Sequence, residues 1–114
     1  MKKIENNLKE INRGEIYYLK KLSTFVLIIS NKMHNFFSNY LTAILVVNKN
    51  ADKVRESLEV GFELEKEKMK AIICCFHTIN KQQIYEQGIL VGQVNQKVLE
   101  KINEKIKSVL DLNE

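Results

Sequence analysis

His77 and Thr78 are the adjacent pair whose residue types best suit chemistry in this chain. An imidazole titrates near neutrality, and near a 2′-hydroxyl His77 could act as general base. The plainer alternative is a strand-end histidine that is simply hydrogen-bonded. Cys74 and Cys75 stand just before it. On a strand, adjacent side chains point to opposite faces, so these thiols cannot bridge each other without distortion. Cys75 is two residues from His77 and shares its strand face, but one histidine is a weak basic surrounding for a nucleophilic thiol. His34 sits in a polar stretch beside Phe36 with no partner in view. Two His and two Cys give no four-ligand metal pattern, so neither a metal nor any other cofactor is expected.

Charge is placed unevenly. Residues 1–21 carry six Lys/Arg against three acids, residues 32–55 four against one, and residues 56–70 five Glu against three Lys, within a net charge of +4. Lys20, Lys21, Lys32, Lys49, Lys53 and Arg55 fall in or beside expected loops. Loops of this kind attract phosphate irrespective of sequence, though a solvated charged rim has the same composition. Tyr17, Tyr18, Phe36, Phe37 and Tyr40 could stack on unpaired bases, or fill the core as most aromatics do.

These residues must be held by one small domain spanning 1–114, with 45% hydrophobic residues, no Pro and only four Gly. No apolar run is long enough to span a bilayer, residues 1–11 lack the apolar stretch of a signal peptide, and the cysteines form no disulfide framework. The expectation is a cytoplasmic protein with no membrane partner. Ile4, Leu8 and Ile11 predict a short amphipathic helix over 2–11, which would cap one end of the fold or cover a groove. Residues 14–94 have β texture. TFVLIIS and LTAILVV read as strands buried on both faces, and Leu58, Val60, Phe62 and Leu64 alternate as in a half-buried strand. Residues 31–39 read as a loop tucking Phe36 and Phe37 into the core, 65–70 as a turn, and 81–85 as a short helical turn. Residues 95–112 read as a strong amphipathic helix, with Asn95 as N-cap and Val94 packing on Leu99. The class is α+β: about six strands in a small SH3-like barrel, a short first helix and a longer last one.

That order resembles the MazF/PemK family of toxin–antitoxin ribonucleases. Arg13-Gly14-Glu15-Ile16-Tyr17-Tyr18 resembles its opening motif, and VLIISN at 26–31 its second strand. AIICCFHTINKQQI at 71–84 resembles its fifth strand and turn, and GQVN at 92–95 its approach to the last helix. The resemblance implies an SH3-like barrel, a homodimer, a cognate antitoxin-like protein and metal-independent RNA cleavage. It also implies a Gly-rich loop carrying Arg-Pro after the first strand, a Thr or Ser ending the third, and an acid-Gln pair on the fifth. Here the loop is only Leu22-Ser23-Thr24 with Lys20 and Lys21 nearby, the third strand ends at Val47-Asn48, Cys74-Cys75 replace the acid-Gln pair, and His77 takes a basic position beside a retained Thr78. A guanidinium offers a permanently charged donor fork to a phosphate on which charge is developing, and its loss removes that support.

The resulting expectation is a barrel of toxin–antitoxin lineage with a degenerate ribonuclease site, acting by binding RNA, DNA or a protein partner rather than as an enzyme. One alternative is an endoribonuclease with a rearranged site of His77, Thr78, Asn48 and Lys21. Another is a non-catalytic assembly or adaptor subunit. Another arginine, Arg13 or Arg55, set with a hydroxyl over an open cleft would overturn the degenerate reading.

Overall fold

The computed structural model describes residues 10–110, so the expected helix over 2–11 lies outside the described residues except for its last two positions, neither of which is helical. The described elements run β1 (Glu15–Leu19), β2 (Thr24–Ile28), α1 (Lys32–Phe37), β3 (Tyr40–Val47), β4 (Glu59–Leu64), β5 (Glu67–Asn80), α2 (Lys81–Gln87), β6 (Gly88–Gln93) and α3 (Gln96–Leu110). All strands join one antiparallel sheet in the order β4-β5-β3-β2-β1-β6. The edges curl together: a Cβ added at Gly92 of β6 would stand 2.5 Å from Leu64 Cδ1 of β4. The expected small barrel is therefore a curled half-barrel, its edges meeting through side chains.

Both faces of this sheet are covered, which is why its central strands read as unbroken apolar runs. On one face Ile16, Leu27, Ile44, Val46, Ala71 and Ile73 pack with Ile102 of α3. On the other, Tyr17, Leu19, Val26, Ile28, Leu41, Ala43 and Ile79 pack with Ile84 of α2. Alternation along each strand sends successive side chains to the two cores. Gly14 enters β1 at φ 93°, a left-handed conformation that favours glycine, and bonds Ile28 and Val94 through its N–H and C=O.

Several local readings are corrected. Residues 31–39 are not a plain loop, because Asn31 Oδ1 accepts from His34 N at 2.8 Å and starts α1. The helix turns Asn35 inward, where its amide donates to the Ile11 and Ser30 carbonyls. Phe36 and Phe37 are consequently 69% and 73% exposed instead of in the core. Of 65–70 only Glu65 and Lys66 turn, at φ 50° and 71°, and β5 resumes at Glu67. The turn at 81–85 extends to the full helix α2, held by a capping box between Asn80 and Gln83. At α3 the expected cap is present: Asn95 Oδ1 accepts from Val98 N at 2.9 Å, and Val94 and Leu99 share one core.

Candidate functional site

His77 and Thr78 lie on β5 opposite Ala43 and Thr42 of β3. They line a groove of about 360 Å³ together with Thr24 and Val26 of β2, Leu45 of β3, Leu19, Leu22, Ile79 and Gln83. The groove is on the α2 side of the sheet. Both residues are exposed, and neither side chain makes a hydrogen bond among the described residues, so the reading of His77 as a bonded structural histidine finds no partner there. Thr24 adds a hydroxyl, already donated to the Leu22 carbonyl at 2.8 Å. Thr24 and Gln83 carry no signal in sequence, since only the fold brings positions 24, 77 and 83 together.

The link between β1 and β2 is a closed turn. Leu22 N bonds Leu19 O, Ser23 N bonds Lys20 O, and Ser23 sits at φ 50°. Gln87, buried at the end of α2, clamps it by accepting from Lys20 N at its carbonyl and from Lys21 N at Oε1, at 3.1 and 2.8 Å. Lys20 and Lys21 are exposed between Leu19 and Leu22, both of which line the groove. No arginine lines it.

Asn48 is not brought to His77. It follows the last residue of β3, where its Nδ2 donates to Glu67 Oε2 at 2.9 Å. It lies five positions along the chain from Ala43, the partner of His77, which is about 17 Å at the rise of a strand. The basic residues divide as well. The β1–β2 turn and the β3–β4 connection holding Lys49, Lys53 and Arg55 lie at one end of the sheet, because Phe25 pairs with Val46. Lys32 lies on α1 at the other end, 3.6 Å from Glu10 in an exposed ion pair.

Cys74 and Cys75 are free thiols. The ladder between β3 and β5 steps from Ile44↔Phe76 to Leu45↔Ile72, so Ile73, Cys74 and Cys75 have no partner on β3. His77 sits in the regular ladder and Cys75 outside it, so their spacing of two does not make a regular same-face pair. Of the aromatic candidates, Tyr17 is fully buried, and its hydroxyl donates to Glu15 at 2.8 Å. Burial, with this carboxylate, pushes the Tyr17 phenol up. Tyr18 packs against Phe25 with ring centroids 4.9 Å apart and the planes tilted by 52°. Phe36, Phe37 and Tyr40 are exposed. Among the described residues no three His, Cys, Asp or Glu gather as metal ligands, and no helix is long and apolar enough to cross a membrane.

A curled six-stranded antiparallel half-barrel with a packing C-terminal helix is the fold of the MazF-type endoribonuclease toxins. An endoribonuclease from Mycobacterial species superposes with a TM-score of 0.75 at 20% identity, over 93% of this chain and 96% of that one. The crystal structure of MazE-MazF from Deinococcus radiodurans gives 0.74 at 15% identity, over 90% and 97%. An endoribonuclease in complex with its cognate antitoxin, also from Mycobacterial species, gives 0.71 at 20% identity over 94% and 99%. At such identities the likeness is one of fold. No protein-family model and no curated protein matches the sequence.

Proposed function

We propose that this chain is a MazF-type half-barrel that binds single-stranded RNA along the His77–Thr78 groove, and that this groove lacks a complete ribonuclease site. The observation that carries the reading is the closed turn at 20–23, clamped by Gln87, where the resembling toxins have their arginine loop. The groove offers an imidazole, two threonines and two nearby ammonium groups. Lysines attract the phosphate backbone as point charges, but they lack the rigid fork that would steady charge on a phosphodiester being cleaved. Binding is thus supported more strongly than turnover. By likeness to the MazE-MazF structure and to the cognate antitoxin complex, the protein partner would be an antitoxin-like chain, and the resemblance to MazF/PemK adds a second copy of this one.

The test is retardation of single-stranded RNA, with duplex DNA in parallel, at low and physiological salt. RNA should bind at low salt and weaken as salt rises. Replacing Lys20 and Lys21 together by Gln should lower the salt slope by about 0.7 for each phosphate that is no longer neutralised. Absence of any low-salt complex would remove the proposal, and a preference for duplex DNA would redirect it.

A second reading rests on His77, whose ring is exposed and unengaged among the described residues, so it is open to a hydroxyl brought within hydrogen-bond reach. It expects metal-independent RNA cleavage that is lost in His77→Gln.

A further inference from the structure

Arg13, ahead of β1, is exposed but held in place. Its Nε donates to the Ile29 carbonyl at 2.8 Å, which occupies one edge of the guanidinium. The ion pairs among the described residues are Lys32–Glu10 and Lys70–Glu59, so no carboxylate there neutralises it. The side chain borders an open cleft of about 300 Å³ lined by Ile29, Ser30, Asn31, His34 and Thr42. No acid is among the described residues of that lining. Ser30 is engaged in the wall, with its hydroxyl donating to Asn35 Oδ1 and accepting from Thr42 N. Thr42 Oγ1 and the His34 ring are unengaged among the described residues, and Asn31 uses Oδ1 on the His34 backbone, leaving its amide N–H groups. The cleft therefore offers a guanidinium edge, an imidazole, a hydroxyl and an amide, with no carboxylate among the described residues that line it.

We propose that this cleft binds a phosphate group. It is separate from the His77 groove: it opens at the β2–α1 end of the sheet, away from the β1–β2 turn. A guanidinium pinned at Nε presents its Nη groups as a preset fork, the geometry that suits two oxygens of one phosphate. An arginine beside a hydroxyl over an open cleft overturns the degenerate reading for the chain as a whole, and that reading is kept for the His77 groove alone, which no arginine lines. That cleft lacks the His77 pair, and its role is binding.

The test is NMR titration of the full chain with inorganic phosphate against chloride at constant ionic strength, following the His34 ring and the Arg13 side chain. Both should shift saturably while the His77 ring does not, which separates this site from the groove. Arg13→Lys keeps the charge and loses the fork, and should weaken binding roughly tenfold. His34→Gln, at an exposed position, should weaken it without unfolding the chain. A 5′-phosphorylated trinucleotide and its 5′-hydroxyl counterpart distinguish the source. Displacement of phosphate by the first alone assigns a terminal monoester, and displacement by both assigns a backbone diester. No saturable shift at millimolar phosphate, or equal affinity in His34→Gln and wild type, would overturn the site.

Discussion

Glu59 and Lys70 show how single residues position the loops of this fold. Glu59 Oε1 accepts from Lys70 Nζ at 3.0 Å and from Arg55 N at 3.0 Å, while Lys70 also reaches the Lys53 carbonyl. The pair holds the basic β3–β4 connection against β5. The Arg55 backbone bond first, and the Lys70 ammonium second, hold the Glu59 carboxyl below the usual carboxylate range. A depressed carboxyl stabilises the fold above its unfolded pKa, and that contribution is lost as pH falls through the folded value. Lys70→Met should cost about 3 kcal/mol, since it leaves a buried carboxylate without its cation. It should also flatten the acid-side loss of stability. Urea unfolding of both proteins between pH 7 and the carboxylate range checks both outcomes. Nothing in the sequence singles out this pair, because a buried ion pair between positions 59 and 70 is visible only once β4 pairs with β5.

At the scale of elements, the β4–β5 hairpin closes through Glu65 and Lys66, both in the left-handed region. A two-residue turn with φ positive at both positions is the type that suits strand twist, and it favours Asn-Gly. The double substitution Glu65→Asn, Lys66→Gly should therefore raise stability by about 1 kcal/mol, seen as a higher urea midpoint at unchanged slope. This turn shows where sequence legibility ends. The buried strands, the half-buried strand and the last helix were readable because apolar period follows burial. The true extent of the turn was not, since charged residues at 65–70 look alike whether they turn or pair. Residues 31–39 failed for a related reason: two phenylalanines suggest core, but the Asn31 cap sets the helix phase and gives the inward place to Asn35.

At the scale of the whole molecule, sequence resemblance and the solved structures agree on the fold. The candidate groove was half legible. His77 and Thr78 stood out as an adjacent pair, whereas Thr24 and Gln83 join them only through the sheet and α2, and Asn48 is held away by the length of β3. The phosphate cleft was less legible still, because Arg13, His34 and Thr42 come from three separate segments. The central claim is that the groove binds RNA without cutting it. It is tested most directly by incubating end-labelled single-stranded RNA with the protein in EDTA at low salt, then running native and denaturing gels on the same samples. The account predicts retarded RNA that is full length after long incubation. RNA that is shortened by the wild-type chain and spared by His77→Gln would contradict it.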